Sequence, residues 1–263
     1  MIDVPLTHGR LTSDRCLVMG ILNATPDSFS DGGLLEEDAA LTARIRALLH
    51  AGADVLDVGG ESTRPGHIPV PASEETRRVL RVVTAIRRID GDIPISVDTS
   101  KAEVANAALG AGASMVNDVT GLGDPSMGSV VARHGCAVVL MRHQDIEGDV
   151  VAGATMQLGA AVARARDTGI QDEALVLDPG LGFGARPGPH VEDNLALIDA
   201  AGNLGPFPVL IGASRKRFVG TLMDEPNPLQ RVGGSVAMAV RARDAGAAIV
   251  RVHDVAETVA ALR

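Results

Sequence analysis

The chain has 263 residues, 46% of them hydrophobic, which is enough for one large core and close to the roughly 250 residues of an eightfold β/α barrel. Its 24 Lys and Arg against 33 Asp and Glu leave a formal charge of −9, so the basic footprint of a nucleic-acid binder is absent. An anionic ligand must then be met by a local cluster of cations or by a metal. No apolar run is long enough to cross a bilayer, and residues 1–15 are too polar for a signal peptide, so neither a membrane partner nor secretion is expected. Cys16 and Cys136 have no metal or redox spacing and read as small buried residues in a reducing, cytoplasmic setting.

In chain order, the apolar run 17–22 predicts a buried strand that ends on Asn23. It empties into Ala24-Thr25-Pro26-Asp27-Ser28-Phe29-Ser30-Asp31-Gly32-Gly33, a run of turn-forming residues. A helix is expected over 36–50, stopped by Gly52, then a second strand over 54–59 and the loop Gly60-Glu61-Ser62-Thr63-Arg64-Pro65-Gly66. Residues 74–89 read as a helix and 93–98 as a third strand ending on Asp98. The pattern continues with a helix over 101–109, a strand over 114–119 carrying Asn117 and Asp118, and a short helix over 125–134. A fifth strand, 136–141, leads to Arg142-His143-Gln144, a loop to 153 and a helix over 154–168. The last repeats are a strand over 174–178, a helix over 191–200, a strand over 208–212, a helix over 228–245 broken or capped near Gly233-Gly234, a strand over 247–253 and a closing helix over 254–262.

Eight continuous apolar strands alternating with helices belong to a parallel sheet covered on both faces. Each strand delivers a polar or special residue at its end: Asn23, Gly59, Asp98, Asn117, Met141 with His143, Asp178, Ser214 with Lys216, and Arg251 with His253. In a (β/α)8 TIM barrel those C-terminal ends share one face and build the active site. The fold expected is therefore α/β, one barrel domain over 1–263. An open doubly wound sheet is the weaker reading, because no Gly-x-Gly-x-x-Gly follows the first strand. Among the end residues, carboxylates, amides and an amine suit a flat heterocycle edged with N–H groups and carbonyls. Arg64, Arg251 and His253 are cations at the mouth, suited with Asn23 and a divalent ion to a phosphate or diphosphate. Asp57 and Asp118 read as cap or backbone partners. Arg215-Lys216-Arg217 reads either as a solvated run or as the source of a site lysine, and its position directly after a buried strand favours the site. No zinc spacing and no nucleophile elbow is present, so positioning and charge stabilisation are expected to do the chemistry.

Five blocks together closely resemble the dihydropteroate synthase family, over nearly the whole chain. They are Ile21–Gly33, with its Ser28-Phe29-Ser30-Asp31-Gly32-Gly33; Asp57-Val58-Gly59-Gly60-Glu61-Ser62-Thr63-Arg64-Pro65-Gly66; Asp178-Pro179-Gly180-Leu181-Gly182-Phe183-Gly184; Gly212-Ala213-Ser214-Arg215-Lys216; and Arg251-Val252-His253-Asp254-Val255. The resemblance implies condensation of 6-hydroxymethyl-7,8-dihydropterin diphosphate with 4-aminobenzoate, giving 7,8-dihydropteroate and pyrophosphate by an SN1-like step. It further implies that Asp98, Asn117, Asp178 and Lys216 hold the pterin, flanked by Met141, Phe183 and Arg251. Asn23 would help bind Mg²⁺ and the diphosphate, and Arg64, Arg251 and His253 would contact phosphate. Asp31 would close over the reacting methylene. Phe29, Thr63, Pro65, Ser214 and Lys216 would shape the aminobenzoate pocket, and Gly212 is a further substrate-binding residue implied. Asp31, Arg64, Asp98 and Lys216 are the catalytic set implied. Sulfonamides are expected competitors and a homodimer the expected assembly. Two departures stand out: Arg142 precedes His143 where His is expected straight after Met141, and Ala185-Arg186 replaces an expected Lys. A corrinoid-dependent pterin methyltransferase domain and a non-catalytic pterin-binding paralogue are the competing readings.

Overall fold

The computed structural model describes residues 2–24, 33–61, 69–142, 144–183 and 190–263. Eight parallel strands form its centre: β3 (Leu17–Asn23), β4 (Val55–Gly59), β5 (Ile95–Asp98), β6 (Met115–Asp118), β7 (Val138–Met141), β8 (Leu175–Asp178), β9 (Leu210–Ile211) and β10 (Ile249–Val252). Their order around the sheet is β8-β7-β6-β5-β4-β3-β10-β9. The two ends of that order meet at a parallel bridge between Leu177 and Val209, and the Leu177 N–H donates to the Pro208 carbonyl at 2.9 Å. The sheet therefore closes into the expected barrel, which removes its edges.

The helices wrap the outside: α1 (Gly33–His50), α2 (Ala72–Ile89), α3 (Ala102–Gly110), α4 (Met127–His134), α5 (Val150–Asp167), α6 (Val191–Asp199), α7 (Arg217–Met223), α8 (Val232–Asp244) and α9 (Val255–Leu262). Helix α2 shows how: Val79, Val82, Val83 and Ile86 recur at helical spacing and bury one stripe, while Glu74 and Glu75 in the first turn and Arg87 and Arg88 in the last complement the helix dipole. None of these helices is long and apolar enough to cross a membrane.

The structure departs from the sequence expectation in several places, among them helix α8, which starts at Val232 behind a short 3₁₀ turn (Pro228–Gln230) instead of at 228. Helix α5 starts four residues early, because the Asp149 carboxylate accepts from the N–H groups of Val151 and Ala152 at 2.9 and 3.1 Å and caps it. Helix α7 follows directly on Lys216, where only a charged run was apparent. Strand β9 is two residues long where five were expected, with Val209 before it in an isolated bridge to Leu177. Finally, β1 (Ile2–Pro5) and β2 (Arg10–Ser13) form an antiparallel hairpin too short to register as periodicity. Its Ile2, Val4 and Leu11 join Leu17, Met19, Val55, Met115, Val139, Val176, Leu210 and Ile249 in one buried cluster, a plug in the N-terminal end of the barrel.

Candidate active site

Strand register sets the opposite end. Asn23, Gly59, Asp98 and Asn117 are successive partners across β3, β4, β5 and β6, so they stand at one level of the wall. Met141 is level with Asp178 across β7 and β8. Because strand side chains alternate, residues two apart share a face. Asp57 thus lies on the same face as Gly59, one step deeper.

Asp57 is fully buried and belongs to the site, which corrects its reading as a cap. Its Oδ2 accepts from Arg251 Nε at 2.6 Å and from Asn117 Nδ2 at 3.3 Å. Arg251 Nη2 donates to Asp98 Oδ2 at 2.6 Å. The guanidinium is therefore bracketed by two carboxylates rather than lying open at the mouth, and only Nη1 is committed to neither. With both carboxylates ionised, one positive charge between two negative ones leaves a local excess of one negative charge. Burial pushes the Asp98 carboxyl up to about 7, with Arg251 opposing and Asp57 adding to the rise. Burial works to lower the Arg251 value, but Asp57 and Asp98 outweigh it and hold it above its ordinary value. Asp57 Oδ1, Asp98 Oδ1 and the Ser96 hydroxyl are buried without a hydrogen-bond partner in the structure. Asp118, in contrast, does what was expected of it: its oxygens accept from the Thr120 N–H at 2.8 Å, the Thr120 hydroxyl at 2.6 Å and the Leu122 N–H at 2.8 Å.

On the other wall, the Arg215-Lys216-Arg217 run splits three ways. Arg215 holds a left-handed backbone (φ 60°) and its guanidinium pairs with Asp254. Lys216 donates its ammonium to the Leu181 carbonyl and sits 4.8 Å from the Phe183 ring centroid. Arg217 faces solvent. Burial pulls the Lys216 amine down to about 8 against the upward pull of Asp178. Burial raises Asp178 in turn, opposed by Lys216 and by the Gly180 N–H, which donates to its Oδ1 at 2.7 Å. Ser214 Oγ lies 3.0 Å from His253 Nδ1 and accepts from the His253 backbone N–H at 3.2 Å, joining the ends of the last two barrel strands. Gly212 has room beside Arg251, since a Cβ there would lie 3.9 Å from the Arg251 Cβ.

The structure thus brings Asp98, Asn117, Asp178, Lys216 and Arg251 to the barrel mouth, with Met141, Phe183, Gly212, Ser214 and His253 on the strands and loops that frame it. Phe29, Asp31, Thr63, Arg64, Pro65, His143, Ala185 and Arg186 lie outside the described residues. Sequence reading missed Asp57, for which strand parity with Gly59 was the available signal, and noted Arg142 only as a departure from the family pattern. No group of three His, Cys, Asp or Glu able to hold a metal is found among the described residues. Asn23 offers one amide oxygen at the end of β3. A hard cation held by one protein oxygen plus substrate phosphates is an ordinary arrangement for Mg²⁺, so the residue fits that ion.

A closed eight-strand barrel with a polar ring at its C-terminal mouth is the architecture of the (β/α)8 enzymes, whose active sites lie at that face. Comparison with known proteins makes this particular. The model of the pterin-binding enzyme family matches residues 19–253. The dihydropteroate synthase of Synechocystis sp. is 41% identical over 266 residues, covering 95% of this chain and 90% of that protein. The Xanthomonas albilineans dihydropteroate synthase solved with 4-aminobenzoic acid aligns with a TM-score of 0.89 at 45% identity, covering 96% of this chain and 93% of that one. The same enzyme in complex with 7,8-dihydropteroate aligns with a TM-score of 0.88 at 42% identity, covering 99% and 96%. The chain belongs to the pterin-binding enzymes and, within them, to the dihydropteroate synthases, which are transferases.

Proposed function

We propose that the barrel mouth joins 6-hydroxymethyl-7,8-dihydropterin diphosphate to 4-aminobenzoate by breaking the C–O bond first. The observation that carries this reading is the buried, unpartnered Asp98 Oδ1 beside an Arg251 shared with Asp57. A buried carboxylate oxygen without a donor is costly, and an N–H edge of a pterin would satisfy it. The excess negative charge of that trio would also favour the positive charge that develops on the pterin methylene. Preorganised charge of this kind is commonly the largest catalytic contribution.

Asp178 and Asn117 would take further edges of the pterin, and Lys216 would donate to its ring from the other wall. Met141 and Phe183 would pack on the ring faces. Arg251, through Nη1, and His253 would contact the diphosphate, joined by Arg64. Asn23 would hold Mg²⁺, which when bound neutralises charge on the diphosphate. Phe29, Thr63, Pro65 and Ser214 would shape the aminobenzoate pocket, and Asp31 would close over the methylene. The aminobenzoate amine is neutral near pH 7 and attacks without a strong base. Sulfonamides mimic that amine and would compete for its place.

A homodimer is proposed as well, through the late helices. Leu222 and Met223 at the end of α7 and Leu229 beyond it are 48%, 39% and 63% exposed, a set of apolar side chains suited to a second copy. Light scattering on the purified protein tests it. Two free thiols, at Cys16 and Cys136, fit the cytoplasmic location proposed.

Pyrophosphate release from the dihydropterin diphosphate, 4-aminobenzoate and Mg²⁺ tests the reaction. Release is expected to require aminobenzoate and to stop with EDTA. Pterin binding without release would sink the proposal and favour a non-catalytic binder.

A further inference from the structure

We infer that Arg142, the residue standing where the family resemblance leads one to expect His, is a positioning residue that sets both Asp178 and Lys216 through the backbone between them. Its side chain is buried at 6% exposure and makes a three-armed bracket. Nε donates to the Pro179 carbonyl at 2.7 Å, Nη2 to the Gly180 carbonyl at 2.8 Å and Nη1 to the Gln144 carbonyl at 2.7 Å. Its backbone N–H donates to the Asp178 carbonyl at 3.0 Å. One residue therefore ties the loop after β7 to the turn after β8.

That turn does two things at the site. The Gly180 N–H fixes Asp178 Oδ1, and the Leu181 carbonyl takes the Lys216 ammonium. The carbonyls of residues 179, 180 and 181 are consecutive acceptors shared by two cations, Arg142 on the first two and Lys216 on the third. The turn is packed closely against Arg142. Gly180 is left-handed (φ 67°), and a Cβ there would run into the Arg142 carbonyl. Releasing the bracket therefore frees the acid and the amine together, while Asp98 and Arg251 on the far wall keep their own partners. The guanidinium suits this task, since its donors leave from three nitrogens spread over one plane, whereas those of an ammonium all leave from one. Arg142 also lies close enough to favour the charged form of Asp178 and the neutral form of Lys216, a smaller effect in the same place.

The inference rests on the pterin reading of the site, and binding rather than turnover is its readout. Arg142→Met and Arg142→Lys would be compared with wild type by calorimetry, using the dihydropterin diphosphate as ligand with Mg²⁺. Arg87→Met is the control. Arg87 brackets the carbonyls of Gly91, Ile93 and Gly112 in the same manner at the N-terminal end of the barrel, far from the mouth. Arg142→Met is expected to weaken pterin binding about tenfold, the scale of one or two lost hydrogen bonds. Arg142→Lys keeps the charge and loses the fork, so it is expected to fold and still to bind several-fold more weakly. Should Arg142→Met fail to fold, Arg142→Lys decides. Pterin affinity within twofold of wild type in a folded Arg142 variant, or an equal loss in Arg87→Met, overturns the inference. Wild-type protein that binds the pterin but releases no pyrophosphate would defeat the synthase reaction and leave the Arg142 comparison standing.

Discussion

At the hairpin end of the barrel, Val55, Met115, Val139, Val176, Leu210 and Ile249 close a dry floor. Two residues further along the same six strands stand Asp57, Asn117, Met141, Asp178, Gly212 and Arg251. The step is one strand repeat, roughly 7 Å. Over it the barrel passes from apolar side chains that need only one another to charged ones that are not all satisfied by the protein. Floor contacts are complete without a ligand. The mouth keeps Asp57 Oδ1, Ser96 Oγ and Asp98 Oδ1 buried without partners. Apolar packing is thus completed at one position of each strand, and unpartnered polar atoms begin two residues further on.

The largest effect that separates the two levels is expected at Asp98. Asp98→Asn removes the orphan acceptor's charge and half of the bracket around Arg251. It should lower kcat/KM by about 10²–10³ and leave the melting temperature near that of wild type. A fall of less than threefold would detach Asp98 from the chemistry.

Next in size is the pH response of the mouth, which the floor cannot share. Free-enzyme kcat/KM should rise as Asp98 loses its proton near 7 and fall as Lys216 loses its own near 8, a narrow bell. Lys216→Arg should carry the alkaline limb upward, and an unmoved limb would exclude Lys216. Stability bears the opposite sign for Asp98. Its folded value lies above the ordinary 3.8, so between 3.8 and about 7 the native chain binds more protons than the unfolded one, and this contribution falls as pH rises. Denaturant titrations of Asp98→Asn across that window should show a flatter dependence than wild type.

The floor should answer in the reverse way. Ile249→Ala, at a fully buried position, is expected to cost about 2–5 kcal/mol of stability. Turnover per folded molecule should stay within about twofold at a temperature where the variant is native. A tenfold loss of kcat at unchanged fold would mean that floor and mouth are not separable. Smallest of all is Arg166→Ala. The Arg166–Asp172 pair on the outer surface has both side chains more than half exposed, so water and salt screen it. Neither melting temperature nor kcat/KM should move measurably. A clear shift in either would contradict the division between surface, floor and mouth.

Much of this architecture was legible before any coordinate. The alternation of apolar runs and helical stretches is local information, and it specified eight β/α repeats, the barrel and the polar residues at the strand ends. The loops around Asp31 and Arg64 were legible as motifs, and they carried the family resemblance. The sequence by itself therefore determined the fold class, the face that bears the site, and the residue types available there. Tertiary structure decided who meets whom. Asp57 and Arg251 are 194 residues apart and become partners only because β3 joins β4 to β10 when the barrel closes. Arg142 reads as an irregularity in a loop until β7 and β8 set it against the Pro179–Gly180 turn. The hairpin plug follows the same rule, since its four-residue strands gain their meaning from the floor they cover. Periodicity is written in neighbouring residues, whereas pairing across a closed barrel depends on register and shear, which no single segment contains.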